Sequence, residues 1–270
     1  MTSWTESEPA SAPNKPTRRF KSGIQFYGYF YLYIAKNKIM NTKQYQKYIL
    51  GTKQILDKSQ KEKTPYFTTI CDQKFVVYKN VFSPKYFFDT EIFAKNLPIQ
   101  NGDKILEIGP GTGAISIIAV YRGAQHVVCV DINKKAVQNT RKNIQIHSFE
   151  DKIDIRYGNL YEPLRKNEKF DVIFWNIPFV LVEKKQLSSL EKSVFDPNYQ
   201  STKIFIQEAK NYFNENGRIY IGFSTTLGDI HLIQKIAHSS GYILKCIYEE
   251  NSSEIYPVKF EIFELIRKKP

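Results

Sequence analysis

The sequence predicts an α/β fold with a mostly parallel, doubly wound sheet, and three observations lead to this prediction. Helix-like and strand-like segments alternate from residue 84 onward, a pattern that places helices on both faces of a parallel sheet. A short apolar strand at 104–108 runs directly into a turn with glycines at 109, 111 and 113. Two further apolar strands end on polar side chains, Asp131 and Asn176.

The elements follow from local periodicity and from their turn residues. They are helix 89–97, strand 104–108, helix 114–122, strand 127–131, helix 134–147, strand 153–157, strand 170–175, helix 201–213, strand 218–223 and helix 228–240. Strands at 242–248 and 258–266 follow without a helix between them, so they must be antiparallel. The prediction is therefore a Rossmann-like, mostly parallel seven-stranded sheet with a C-terminal antiparallel hairpin and a small N-terminal accessory region.

The chain divides into three expected parts. Residues 1–39 are an N-terminal extension that is disordered or aromatic, since Ser, Thr, Pro and charge dominate its beginning and tyrosines its end. Residues 40–80 hold an amphipathic helix and a hairpin with strands at 66–70 and 75–78, a candidate region for substrate recognition. Residues 81–270 are the α/β domain.

Composition limits the function classes. The net charge of +12 indicates an acidic partner such as nucleic acid, but Lys supplies 31 of the 39 basic residues, and a compositional bias explains this equally well. Three distant cysteines form no disulfide framework, which favours a reducing, cytoplasmic location. The four histidines lack ligand spacing, so no metal site is predicted. No stretch reads as a membrane span.

The glycine turn predicts a nucleotide crevice. Glycine permits the sharp exit from the strand and lets a ligand touch the backbone, and the next helix presents its amide dipoles there. Asp131, at the tip of the next strand, can accept hydrogen bonds from both hydroxyls of a ribose. No Gly-Lys-Ser/Thr follows, which excludes a P-loop. A dinucleotide site remains an alternative because Gly109, Gly111 and Ala114 fit its looser pattern, although Glu107 would repel a pyrophosphate.

These residues resemble the class I S-adenosylmethionine-dependent methyltransferases. Residues 107–113 are similar to the first motif of that family, Asp131 to its ribose-binding acid and 158–160 to its third motif, in which Asn159 replaces the usual Asp. The resemblance implies S-adenosyl-L-methionine as cofactor. It implies contacts from Glu107, Gly109, Pro110, Gly111, Thr112, Gly113, Asp131, Ile132, Asn159, Leu160 and Asn176.

A second polar group, Asn176-Ile177-Pro178-Phe179, follows the strand at 170–175. The Asn176 oxygen and a backbone carbonyl beside Pro178 can accept two N–H bonds from a planar nitrogen, and Phe179 can stack on it. The catalytic prediction is therefore Asn176, Pro178 and Phe179. The alternative is an ordinary turn after a strand.

The 176–179 group resembles the Asn-Pro-Pro-Tyr/Phe motif of amino methyltransferases and, in its Asn-Ile-Pro form, the ribosomal RNA dimethyladenosine transferases. Residues 81–84 with 89–91, 136–143 and 158–164 are more similar to HemK-type glutamine methyltransferases and the related methyltransferase small domain family. The resemblance covers 81–180 well and does not reach 1–80.

The resulting hypothesis is a metal-independent N-methyltransferase acting on a protein glutamine, with an RNA or DNA base amine and then a small-molecule amine as alternatives. An NAD(P)-dependent oxidoreductase and a catalytically silent nucleic-acid scaffold are the rivals from other classes. We expect a monomer or weak dimer. The segment 180–200, which contains Lys184 and Lys185, is expected either to close over the substrate or to be a surface loop.

Overall fold

The computed structural model describes residues 43–183, 186–252 and 258–268, all of which belong to one compact unit, Ile39–Pro270. The expected extension at 1–39 lies outside the described residues, as do Lys184 and Lys185. The three-part division of the chain therefore stays a prediction.

Six helices and eleven strands make up the described part of the chain. The helices are α1 (Lys43–Ser59), α2 (Asp89–Asn96), α3 (Ala114–Tyr121), α4 (Lys134–Ile146), α5 (Gln200–Glu208) and α6 (Ile230–Ser239). The strands are β1 (Tyr66–Ile70), β2 (Gln73–Val77), β3 (Lys104–Ile108), β4 (His126–Asp131), β5 (Ile153–Tyr157), β6 (Phe170–Asn176), β7 (Val180–Val182), β8 (Phe195–Pro197), β9 (Phe213–Phe223), β10 (Tyr242–Asn251) and β11 (Lys259–Arg267). Each described helix is too short or too polar to cross a membrane.

The main sheet has seven strands in the order β10-β11-β9-β6-β3-β4-β5, which confirms the predicted fold class. The chain builds outward from β3 through β4 and β5 and then returns to add β6 and β9 on the other side, all in parallel. The order therefore reverses at β3, and open sheets of this kind bind ligands outside the carboxyl ends at such a point. The last strand, β11, lies between β9 and β10 and is antiparallel to both.

The central strands are buried on both faces. Leu106 of β3 packs in one apolar cluster, while its neighbour Ile105 packs in the other. The same alternation divides Val128 from Val127 in β4. A strand covered on both faces needs an unbroken apolar run, which is why these strands were predictable to within a residue or two.

Two segments differ from the sequence-based expectation. The predicted helix 201–213 ends at Glu208 and passes through a 3-10 turn at Ala209–Asn211, and β9 begins already at Phe213, which pairs with Phe170. Within 180–200, the short strands β7 and β8 pair in parallel and are largely buried. The alternative of an ordinary surface loop is therefore wrong for these two strands.

The accessory elements are tied to the main sheet by polar contacts. In α1, the Tyr45 hydroxyl donates to the Leu181 carbonyl at 3.2 Å and accepts from the Leu181 amide at 2.8 Å. The β1–β2 hairpin turns at Cys71 and Asp72, both with positive φ. Its second strand docks on α4, where the Asn139 amide group donates to the Val76 carbonyl at 2.7 Å.

Asn143 of α4 joins this hairpin to the glycine turn. Its side-chain oxygen accepts from the Val76 amide at 2.8 Å, and its Nδ2 donates to the carbonyls of Val76 at 2.9 Å and Thr112 at 2.8 Å. The side chain is fully buried, so water cannot replace these partners when the side chain is removed.

We predict that Asn143→Ala lowers the free energy of unfolding by about 3 kcal/mol, because at least two buried backbone groups lose their partner. Urea denaturation followed by circular dichroism measures the change. The control is Gln138→Ala, an exposed position on the same helix, for which we expect a change of less than about 0.5 kcal/mol. Equal effects of the two substitutions would contradict the assignment.

Candidate active site

The candidate site lies where β3, β4 and β6 end. The turn after β3 places Gly109, Gly111 and Gly113 in the left-handed region, with φ of 64°, 61° and 80°. Most side chains disfavour this conformation. At Gly109 a side chain would also be crowded, since an added Cβ would lie 3.1 Å from the Trp175 indole nitrogen. The backbone is thus exposed to a ligand at the rim of the crevice.

Asp131 organises this turn from the end of β4. Its carboxylate accepts from the Asn133 amide at 2.8 Å and from the Gly111 amide at 3.2 Å. The Thr140 hydroxyl donates to the Gly111 carbonyl at 3.0 Å. Burial raises the pKa of Asp131 to about 6, while the two backbone hydrogen bonds act in the opposite direction. The carboxylate is therefore ionised near neutral pH and retains lone pairs for further donors.

Glu107, the penultimate residue of β3, is buried beneath the turn. The Ser116 hydroxyl of α3 donates to its carboxylate. Burial raises the pKa of Glu107 to about 7, the Ser116 hydrogen bonds lower it, and the Asp131 charge raises it further. Two carboxyl groups with raised pKa values therefore lie below one glycine turn, an arrangement that favours a ligand with hydrogen-bond donors or positive charge.

A crevice brings together most of the residues that the sequence predicts for the cofactor. Its lining includes Glu107, Gly109, Pro110, Gly111, Thr112, Asp131, Ile132 and Asn176. Gly113, Asn159 and Leu160 do not line it: Gly113 precedes α3 and packs on Thr140, and the Asn159 amide donates to Glu162 at 3.2 Å. The roles predicted for these three residues stay predictions.

The crevice is also lined by residues to which the sequence analysis assigned no role. Trp175 lies beside Gly109, Thr90 comes from α2, and Leu190 and Lys192 come from the segment between β7 and β8. For Trp175, its position directly before Asn176 was a signal from which its place in the crevice could have been predicted. The contribution of residues after β7 depends on chain folding that no local pattern records.

Asn176 ends β6 and is held by Asp89 of α2. The Asn176 Nδ2 donates to the Asp89 carboxylate at 2.7 Å. Burial raises the pKa of Asp89 to about 6, and its hydrogen bond with Asn176 is the largest opposing effect. Because a carboxylate only accepts, it fixes the amide with nitrogen toward Asp89. The Asn176 Oδ1 is buried and accepts from no residue that the structure describes.

The backbone after Asn176 is fixed by two contacts. The Ile177 amide donates to the Gly222 carbonyl at 3.2 Å. The hydroxyl of Tyr199, a fully buried residue, donates to the Phe179 carbonyl at 2.6 Å and accepts from the Asp229 amide at 2.9 Å. These hydrogen bonds connect the turn to β9 and, through Tyr199, to Asp229, which precedes α6.

A second cavity of about 990 Å³ lies on the other side of Asn176. Its walls are mainly aromatic and aliphatic and include Phe179, Phe82 and Phe260, whereas Pro178 lines neither cavity. Asn176, Phe82 and Ser193 line both spaces. Asn176 is therefore a polar group between a crevice suited to a nucleoside and a large apolar cavity.

Comparison with known proteins identifies the family. The methyltransferase small domain family matches residues 72–244. A Methanocaldococcus jannaschii protein, provisionally named a protein N5-glutamine methyltransferase, is 33% identical over 152 residues, 55% of this chain and 75% of the relative. The release factor glutamine methyltransferase of Clostridium acetobutylicum is 34% identical over 131 residues, 44% of this chain and 45% of the relative.

For a third relative, the matched residues form a much larger share of this chain than of the relative. The bifunctional methyltransferase of Rickettsia felis is 30% identical over 177 residues, which are 61% of this chain but 32% of the relative. The chain thus spans less than half the length of two of these three relatives.

Solved structures agree in fold. The ribosomal protein L11 methylase of Lactobacillus delbrueckii subsp. bulgaricus superposes with a TM-score of 0.51 at 16% identity, covering 70% of this chain and 82% of that one. A tRNA methyltransferase of Methanocaldococcus jannaschii gives 0.55 at 18% identity, covering 77% and 59%. The oxidoreductase alternative is wrong: by a match over more than half of its length, the chain belongs to the methyltransferase small domain family of S-adenosylmethionine-dependent methyltransferases.

Proposed function

We propose that this chain transfers a methyl group to the side-chain amide nitrogen of a protein glutamine. Two of the relatives described above carry names that specify glutamine as the acceptor. The structural observation that carries the proposal is the buried Oδ1 of Asn176, which has no hydrogen-bond donor among the described residues and lies between the crevice and the apolar cavity. A buried acceptor without a donor is costly, and an N–H group of the acceptor amide would satisfy it.

The crevice residues fit S-adenosylmethionine, which supplies a methyl group on a positively charged sulfur when bound. Asp131 would accept from the ribose hydroxyls, as its free lone pairs and its position at the end of β4 allow. Glu107 would favour the cationic amino group. Gly109 and Gly111 would let the ligand approach the backbone, because a side chain at either position is strained or obstructed.

The acceptor amide would be held by the residues after β6. The Asn176 Oδ1 and a backbone carbonyl beside Pro178 would accept its two N–H bonds, and Phe179 would cover its planar face. These contacts hold the nitrogen in line with the methyl group, and they strengthen as positive charge develops on it. The surrounding apolar walls exclude water and increase the strength of each contact.

Labelled S-adenosylmethionine tests the substrate class directly. The purified full chain is incubated with cell lysate and methyl-labelled donor, and the products are treated with protease or nuclease. We expect protease-sensitive label and, by mass spectrometry, one added methyl group on a glutamine. Nuclease-sensitive label would instead support a base amine as the acceptor. Salt-dependent RNA binding without methyl incorporation would support the scaffold alternative.

Two substitutions separate chemistry from cofactor binding. Asn176→Ala should lower turnover by at least about a hundredfold while the Kd for the cofactor changes only a few-fold, because its oxygen acts mainly in the transition state. Gly111→Val should prevent cofactor binding, because φ of 61° is strained for valine. Single-turnover kinetics and calorimetry measure the two effects. Loss of cofactor affinity in Asn176→Ala would contradict the assignment.

Asp89→Asn should reduce kcat roughly tenfold or more without changing cofactor affinity. An asparagine at 89 both donates and accepts, so it no longer fixes the orientation of the Asn176 amide. The control is Glu91→Gln on the same helix, whose carboxylate pairs with Lys95 at the surface and should be dispensable for activity. An unchanged kcat in Asp89→Asn would remove Asp89 from the mechanism.

Cofactor affinity should rise by about twentyfold between about pH 6 and about pH 8, since binding requires the ionised forms of Glu107 and Asp131, with pKa values near 7 and 6. Calorimetric titration with S-adenosylhomocysteine in buffers of different ionisation enthalpy measures the affinity and the proton release. In Glu107→Gln the pH dependence should shrink to the part due to Asp131.

In the ligand-free protein, the same two carboxyl groups should make the free energy of unfolding change with pH in the opposite direction. Its folded state keeps protons on these carboxyls that the unfolded state has released, since the ordinary pKa values are 4.5 and 3.8. Its free energy of unfolding should therefore fall as the pH rises from about 4 to about 7. A rise over this range would show that neither group is buried as described.

A further inference from the structure

We infer that Tyr199 and Gly228 are positioning residues for the methyl acceptor, because they hold the backbone of Phe179 and thereby the ring that covers the acceptor group. This inference rests on the proposed function for the role of Phe179. It adds two residues that lie outside the glycine turn and outside 176–179, and neither of them lines the crevice or the large cavity.

The packing of the Phe179 ring does not by itself define its orientation. The residue is partly exposed and lines the large cavity. Its ring centroid lies 5.9 Å from that of Phe223 and 6.1 Å from that of Phe260. Aromatic pairs are favourable over a range of distances and angles, whereas a hydrogen bond is directional. The orientation of the ring therefore depends on the groups that hold the Phe179 backbone.

Tyr199, the residue before α5, holds this backbone by a hydrogen bond. Its side chain is fully buried, and its hydroxyl donates to the Phe179 carbonyl at 2.6 Å and accepts from the Asp229 amide at 2.9 Å. Its φ of 49° is a left-handed conformation that costs free energy for residues other than glycine and that clusters at functional sites. A strained, buried tyrosine thus connects the Phe179 turn to the beginning of α6.

Gly228 packs against the same carbonyl from the segment between β9 and α6. A Cβ added at Gly228 would lie 2.6 Å from the Phe179 carbonyl oxygen and still closer to the Phe223 ring. A side chain here would therefore displace the turn or the ring. The segment is itself anchored to β11, since the Glu261 carboxylate accepts from the Thr225 amide at 2.8 Å and from the Thr225 hydroxyl at 2.7 Å.

These contacts act on the orientation of the acceptor nitrogen. The nitrogen must lie in line with the methyl carbon and the sulfur, and a misplacement of about 1 Å can cost about a hundredfold in rate. Without the Tyr199 hydroxyl, the Phe179 ring keeps its apolar area, but its backbone loses the hydrogen bond that holds it. The loss should therefore lower kcat and leave the KM for the acceptor nearly unchanged.

The alternative is that both residues only stabilise the core, and two matched positions test it. Tyr161 is also buried, and its hydroxyl donates to the Phe205 carbonyl at 2.9 Å. Gly217 of β9 is also crowded, since an added Cβ would lie 2.7 Å from the Phe213 Cβ. Neither position lines the crevice or the cavity. Tyr161→Phe and Gly217→Ala should therefore lower stability without lowering kcat.

The experiment uses the full chain, saturating S-adenosylmethionine and the glutamine-containing protein that the labelling experiment identifies. We expect Tyr199→Phe to lower kcat by about tenfold, with less than about a threefold change in the KM for the acceptor and in the Kd for the cofactor. Gly228→Ala should have the same effect or a larger one. Because Tyr199→Phe preserves the volume of the side chain, it decides the test if Gly228→Ala does not fold.

A double-mutant cycle with Phe179→Ala shows whether Tyr199 acts through Phe179. In the Phe179→Ala background the ring is already absent, so Tyr199→Phe should change kcat by less than about twofold. An equal loss of kcat in both backgrounds would overturn the inference and leave the proposed function intact. An unchanged kcat in Tyr199→Phe alone would do the same.

The proposed function would fail in a different way. If the wild-type chain labels a nucleic acid and no glutamine, the acceptor class is wrong. The same cycle is then measured with that nucleic acid, because an aromatic ring can also cover the planar face of a base. Non-additive effects there would keep Tyr199 as a positioning residue, and additive effects would overturn that role. Absence of label in every fraction would overturn both the proposed function and this inference.

Discussion

The central constraint on this structure is that β3, β4 and β6 are covered on both faces. Their side chains must be apolar along the length of each strand, and every backbone group must find its partner within the sheet. Strongly polar side chains therefore appear only among the first two or last two residues of these strands. Glu107, Asp131 and Asn176 occupy these positions on three neighbouring strands, and the rest of the site is arranged around them.

The same constraint explains why three carboxyl groups of the site have raised pKa values. Glu107, Asp131 and Asp89 are buried next to the apolar core, and each retains only hydrogen bonds from neutral donors. A salt bridge would stabilise their negative charges better, but it would also use the carboxylate oxygens that a ligand needs as hydrogen-bond acceptors. The ligand-free fold is less stable for this reason, and that free energy becomes available to a ligand that supplies donors or positive charge.

Much of the fold and part of the site could be predicted from the sequence, for a physical reason. Continuous apolar runs and glycine turns are local, so β3 to β6 and the crevice residues at their ends follow from short patterns. Asp89 was visible only as part of a resemblance, because its hydrogen bond to Asn176 joins positions 87 apart in the chain. The contact of Tyr45 with Leu181 spans 136 positions. The contact predicted for Asn159 from a local pattern stays a prediction, and its amide nitrogen donates to Glu162.

The docking of α1 has an evolutionary consequence. The described residues of the helix form one wall of the large apolar cavity and do not line the crevice, and its Tyr45 hydroxyl is hydrogen-bonded to the backbone of Leu181. Backbone partners persist when neighbouring residues change. During evolution the outer helix can therefore be replaced, and the shape of the large cavity changed with it, while the residues of the crevice remain the same.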